Sequence, residues 1–174
     1  MTGIALLALG ACAGRVGAAD PTAIAAQATP AGIAPDLVLV TDIDRFELNP
    51  QTVGVMGSDG MSAGYQSGTS TVMLLTSRAG ELSAADSSTV PCAELPDTRG
   101  SVLTCTVEHG GVHVVLEGQD VEPATLRAAA EAVRVPRADE LDHLFSNIPK
   151  EHVERGDLPA EGDGAPMNAP GEGG

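Results

Sequence analysis

The sequence predicts an α+β domain: an antiparallel sheet with a C-terminal β-hairpin and one or two helices packed on one face, between disordered ends. Three observations carry this reading. Short apolar runs of strand length fill the early part of the central region. Two alternating runs then meet at Gly110-Gly111, and the one sustained helical stripe comes after them.

The elements follow in chain order. "LVLV" (Leu37 to Val40) is a continuous apolar run, the pattern of a buried strand. "QTVGVM" (Gln51 to Met56) and "STVMLLTS" (Ser70 to Ser77) read as two more strands, and the Gly/Ser-rich stretch from Gly57 to Gly68 between them reads as a long loop. In "SVLTCTVEHGGVHVVLEG" the Gly-Gly pair suits a two-residue turn that needs positive φ at its centre. That turn fixes the register: His109 opposes Val112, Glu108 opposes His113, Val107 opposes Val114, and Cys105 opposes Leu116. One face of the hairpin is then apolar and the other mostly polar, as a one-sided sheet requires.

A helix is expected after the hairpin, with Asp120 or Glu122 near its start and Pro123 in its first turn. Leu126, Ala129, Ala130 and Val133 form its apolar stripe at i, i+3, i+4 and i+7, and Pro136 stops it. A shorter helix in "ADELDHLF" groups Leu141, Leu144 and Phe145.

Both ends lack such periodicity. Residues 12–35 are rich in Ala, Gly, Pro and Thr and read as a flexible tether, spanning roughly 25–30 Å end to end as a coil. Residues 149–174 are rich in Gly, Pro and acids, offer almost nothing apolar to bury, and read as a disordered acidic tail. The single domain is placed at 36–148.

Residues 1–11 read as a signal peptide. Ile4 to Leu9 is too short to span a bilayer but fits the apolar core of an export signal. "LGAC", Leu9 to Cys12, resembles the lipobox of bacterial lipoproteins, although no Lys or Arg precedes Ile4; a true start codon upstream of Met1 would explain this. The resemblance implies that Cys12 is acylated and becomes the mature N-terminus, anchoring the chain at the extracytoplasmic face of the cell membrane. The stretch from Ser101 to Val133 looks like the closing unit of small uncharacterised actinobacterial-type lipoproteins. It is more loosely similar to the sheet-plus-helix units of lipoprotein-carrier domains, which hold apolar ligands.

The chain has 3 cysteines. With Cys12 assigned to lipid, Cys92 and Cys105 are left to pair in an oxidising compartment. Two cysteines without neighbouring ligands do not complete a tetrahedral metal site, and no metal or cofactor is expected. A net charge of −15 excludes nucleic acid, whose phosphates call for clustered Lys and Arg.

Three clusters bear on chemistry. "GMSAG", Gly60 to Gly64, matches the G-x-S-x-G nucleophile elbow with Ser62 as nucleophile, but the elbow needs a strand, a sharp turn and a helix. "YQSGTST" follows instead, so Ser62 reads as a loop residue. Asp42, Asp44 and Glu47 lack the spacing of a calcium loop. His109 and His113 fall on opposite faces of the hairpin, leaving Glu108 and His113 as a cross-strand surface pair.

The sequence therefore points to a lipid-anchored, non-catalytic binding or cell-envelope accessory module, with an envelope protein as partner. The alternatives are a carrier holding an apolar ligand between sheet and helix, and a small serine hydrolase using Ser62.

Overall fold

A computed structural model describes residues 17–78, 89–98 and 100–149. The fold is α+β. Its elements are α1 (Pro21–Ala28), β1 (Glu47–Met56), β2 (Gly60–Ser67), β3 (Ser70–Arg78), β4 (Val90–Pro91), β5 (Val102–His109), β6 (Val112–Gln119), α2 (Pro123–Glu131) and α3 (Leu141–Leu144). The strands form one sheet in the order β1-β2-β3-β6-β5-β4, antiparallel throughout except for the short parallel pair β4–β5.

The hairpin β5–β6 has the register that the Gly-Gly turn predicts, with Cys105 opposite Leu116, Val107 opposite Val114 and Glu108 opposite His113. Gly110 and Gly111 both take positive φ, 59° and 86°, which a side chain resists. The register extends across the sheet. Ala63, Leu74, Leu116 and Cys105 form one continuous row, each fully buried. The opposite face carries Ser62, Met73, Val115 and Thr106, all half-buried.

On the buried face, α2 packs against β5 and β6, and α3 against β1. The stripe Leu126, Ala129, Ala130 and Val133 is buried, as are Leu141, Leu144 and Phe145.

Three expectations are corrected. Leu37 to Val40 is buried but is not a strand of the sheet: Pro35–Leu37 forms a 3-10 turn, and Val40 makes one isolated bridge to Arg134. This segment threads between sheet and helices, where its peptide groups cannot reach water and must find partners. Thr76 Oγ1 donates to Leu37 O at 2.7 Å and accepts from Met61 N at 3.0 Å. Tyr65 Oη accepts from Thr41 N, and Thr41 Oγ1 donates to Ala129 O at 2.6 Å.

The second correction concerns the Gly57–Gly68 stretch, which contains the whole of β2. Met61, Ala63 and Tyr65 alternate onto the buried face, so a strand forms despite its poor β-propensity. The third concerns the tether. Within 17–35, Asp20 caps α1 by accepting from Thr22 N at 2.8 Å, Pro21 occupies the first turn, and Ala19, Ile24, Ala28 and Ile33 are core residues. The domain thus begins before residue 36. The signal-peptide residues, Cys12 and the tail from residue 150 onward lie outside the described residues.

Cys92 and Cys105 are disulfide-bonded, with Cα atoms 4.8 Å apart. The bond fastens β4 to the sheet beside β5, through the fully buried Cys105.

Two expected outcomes follow from this core. Thr76→Val removes one acceptor and one donor from the interior, which should cost roughly 2–4 kcal/mol in urea unfolding. Thr71→Val, on the half-buried sheet face, should shift stability by only about 0.5 kcal/mol; equal losses would show that the threaded segment does not depend on Thr76. Cys92→Ala and Cys105→Ala should each lower stability by roughly 3 kcal/mol, with the double variant little worse than either. Additive losses would mean that the two residues act independently.

Candidate functional site

The residues singled out by motif do not form a reactive centre. Ser62 sits inside β2, not at a strand–helix elbow, and its hydroxyl donates to Thr52 O at 3.1 Å and Gly54 O at 3.3 Å. Those carbonyls belong to a bulge in β1 where the pairing register shifts between Asn49 and Gly54. Thr52 Oγ1 takes part as well, accepting from Gly64 N at 2.6 Å and donating to Asn49 O at 2.7 Å. Two side-chain hydroxyls thus replace ladder bonds that the bulge removes.

The motif's glycines have a packing cause. A Cβ on Gly60 would collide with Thr76 O, and one on Gly64 would lie 2.7 Å from Thr52 Oγ1 and 2.9 Å from Met73 Sδ. The G-x-S-x-G pattern in this chain records close backbone approach and a stapled bulge.

Asp42, Asp44 and Glu47 do not converge. Asp42 turns to Arg134, Asp44 pairs with exposed Arg45, and Glu47 begins β1. Among the described residues no group of three His, Cys, Asp or Glu side chains is placed to hold a metal ion. His113 Nδ1 lies 2.7 Å from Glu108 Oε1, the cross-strand pair that the register predicts, while His109 lies on the other face, opposite Val112.

A different site emerges beside the threaded segment. Arg134 Nε and Nη2 donate to the two carboxylate oxygens of Asp42, each at 2.8 Å. Nη1 and Nη2 donate to the two oxygens of Glu140 at 2.8 and 2.7 Å, and Nη1 also reaches Val135 O. Every guanidinium hydrogen is thereby spent. Arg137 donates its backbone N–H and its guanidinium to Glu140 and stands 3.7 Å from Asp139. The hydrogen bonds from Arg134 are the leading cause that holds the Asp42 and Glu140 carboxyls below their ordinary range, against partial desolvation.

Asp42, Asp139 and Glu140 border a cleft of about 330 Å³ between α3, the start of β1 and the threaded segment. Phe46, Leu48, Tyr65 and Leu144 supply apolar surface. Asp42, Asp139, Glu140 and His143 supply the polar groups. Tyr65 is 4% exposed, and burial pushes its phenol up to about 12, so it stays a neutral hydroxyl. A second cleft, about 340 Å³, opens between α2 and the β4–β5 edge, with Pro91, Cys92, Ala93, Val107 and Ala130 on its walls.

Sequence reasoning missed the first cleft. Asp42 and Arg134 lie 92 positions apart, and the bridge between Val40 and Arg134 helps bring them together. No protein-family model matches the chain, and neither a curated protein nor a solved structure matches it.

The carboxylate cluster sets an acid limit. Asp42 and Glu140 have depressed folded-state values, so their stabilisation is complete above the ordinary carboxylate range near pH ~4 and is lost as pH falls through the lower folded values. Thermal unfolding followed downward from pH ~5 should therefore show Arg134→Met losing stability less steeply than the parent chain. Identical slopes would remove Arg134 as the cause.

Proposed function

We propose that the chain is a lipid-anchored extracytoplasmic binding module without catalytic activity, held at the outer face of the cell membrane through Cys12 and serving a cell-envelope partner or ligand. One observation carries the reading. The Cys92–Cys105 bond consumes the two other cysteines and fits an oxidising compartment, leaving Cys12 in "LGAC" as the remaining thiol. A diacylglyceryl group with a further acyl chain gives the double signal that stable anchoring needs.

The absence of catalysis in this proposal rests on Ser62. Its hydroxyl is committed to two backbone carbonyls in the middle of a strand. An acyl-transfer nucleophile needs instead a hydrogen bond to a general base.

The carrier reading is less well supported. Leu74, Leu116 and Leu126 fill the space between sheet and α2 with no exposed surface, so an apolar ligand is left with the clefts at the margins of the core.

Metabolic labelling with a palmitate analogue should mark the full-length chain in its host and fail to mark Cys12→Ser. A fluorophosphonate probe should leave Ser62 unlabelled. Equal palmitate labelling of both chains would overturn the anchor, and probe labelling lost in Ser62→Ala would overturn the non-catalytic assignment.

A further inference from the structure

The cleft beside Arg134 has a selectivity that its hydrogen-bond accounting defines. Asp42, Asp139 and Glu140 contribute three carboxylates, and the nearby cations are Arg134 and Arg137. Arg134 has no hydrogen left to give. A carboxylate accepts more than one hydrogen bond at each oxygen, so the three carboxylates keep acceptor capacity, while Arg137, which donates to Glu140, is not among the lining residues. An anionic ligand would meet three carboxylates and, apart from His143, no basic side chain among the lining residues. A ligand that brings N–H donors and positive charge meets the complementary surface.

The apolar walls narrow the class. Phe46 and Tyr65 offer aromatic rings, and Leu48 and Leu144 offer aliphatic surface in the same cleft. An ammonium near an aromatic face gains from the ring quadrupole, and an attached alkyl chain gains by leaving water. Tyr65 adds an independent feature: it is nine-tenths buried, and its oxygen accepts from the cleft residue Thr41, yet the phenol's own proton has no acceptor among the described residues. A buried hydroxyl with an unspent donor is the kind of group a ligand completes. The volume, about 330 Å³, is at the small end of ligand sites.

From these features we propose that this cleft binds an alkylammonium group, with the chain against Phe46, Leu48 and Leu144 and the ammonium at Asp139 and its neighbours. The proposal rests on the chain being a binding module and names the ligand class of that module. The same chemistry is available from a free small amine or from a lysine side chain of a polypeptide.

The test uses the full mature chain, with amide and side-chain NMR shifts at Thr41, Tyr65 and His143 as the readout. Hexylammonium should give saturable shifts confined to the cleft. Hexanol should bind roughly tenfold more weakly, having lost the cation–ring and carboxylate contacts. Hexanoate should give no saturable shift. Asp139→Asn, at an exposed position that leaves the core intact, should weaken hexylammonium roughly two- to fivefold. Phe46→Ala should weaken it further, with unfolding followed in parallel to verify that each variant folds.

The lysine derivative Nα-acetyl-lysine N-methylamide separates the two sources. Tighter binding than hexylammonium assigns the ammonium to a polypeptide partner, and weaker binding assigns it to a free amine. Equal binding of hexanol and hexylammonium, or shifts scattered over the whole surface, would overturn the proposal. Palmitate labelling of the same preparation keeps the outcomes separate: failed amine binding on a labelled chain removes the cleft assignment and leaves the anchor standing.

Discussion

The fold depends on one constraint: residues 37–41 run between the sheet and the helices without joining either. Such a segment brings polar peptide groups into a place where none can be hydrated, and each unpaired group costs on the order of 1–3 kcal/mol. The chain meets this with partners from three directions. Thr76 reaches up from the sheet, Tyr65 from its neighbouring strand, and Arg134 supplies a backbone bridge from beyond α2. Because Thr76 and Tyr65 are fixed by the sheet register, the threaded segment is fixed with them. The position of Asp42, one residue past Thr41, is the next consequence, and the Arg134 cluster and the cleft follow from it.

The sheet's two margins show a related economy. β1 carries Pro50 and a bulge that interrupts its pairing, and Thr52 and Ser62 close the interrupted ladder with their hydroxyls. On the other side, β5 is partly covered by the two residues of β4, one of them Pro91, and the adjoining disulfide holds them there. An uninterrupted edge strand is a template for pairing with other chains, and prolines, bulges and short edge strands are the usual means of blunting it. Thus Ser62, which the motif marks as a nucleophile, and the Cys92–Cys105 pair both secure the sheet's edge strands.

What was legible in the sequence was what local rules determine. The Gly110-Gly111 turn fixes a hairpin register because its geometry is local and the side-chain period is two. Pro123 and the stripe from Leu126 likewise place α2. The same capping logic stands in "DPTAIAAQA", where Asp20-Pro21 precedes Ile24 and Ala28 at i, i+4 spacing, but the surrounding Ala-, Gly- and Pro-rich composition has the look of a tether. β2 was missed for a different reason. Its glycines are required by Thr76 O and Thr52 Oγ1 on neighbouring strands, and no local pattern distinguishes a glycine of that kind from a flexible one. Leu37 to Val40 was correctly buried and wrongly shaped, because an apolar run specifies burial without specifying a hydrogen-bond partner. The cleft was beyond reach altogether, since its members come from four separated stretches of the chain.

The charge pattern bears on how such a cleft can work. Every arginine among the described residues forms an ion pair with a carboxylate of this domain. At the cleft this means that a ligand cation shares carboxylates already engaged by Arg134 and Arg137, so its electrostatic gain is limited to about 1 kcal/mol at exposed positions such as Asp139. Burial of an alkyl chain contributes about 0.8 kcal/mol for each methylene removed from water. A chain of a few carbons therefore outweighs its own charge in affinity. The charge governs selection, because an anion of the same length meets three carboxylates with no Lys or Arg among the lining residues to offset them. Affinity resides in Phe46, Leu48 and Leu144, and discrimination resides in the carboxylates of Asp42, Asp139 and Glu140.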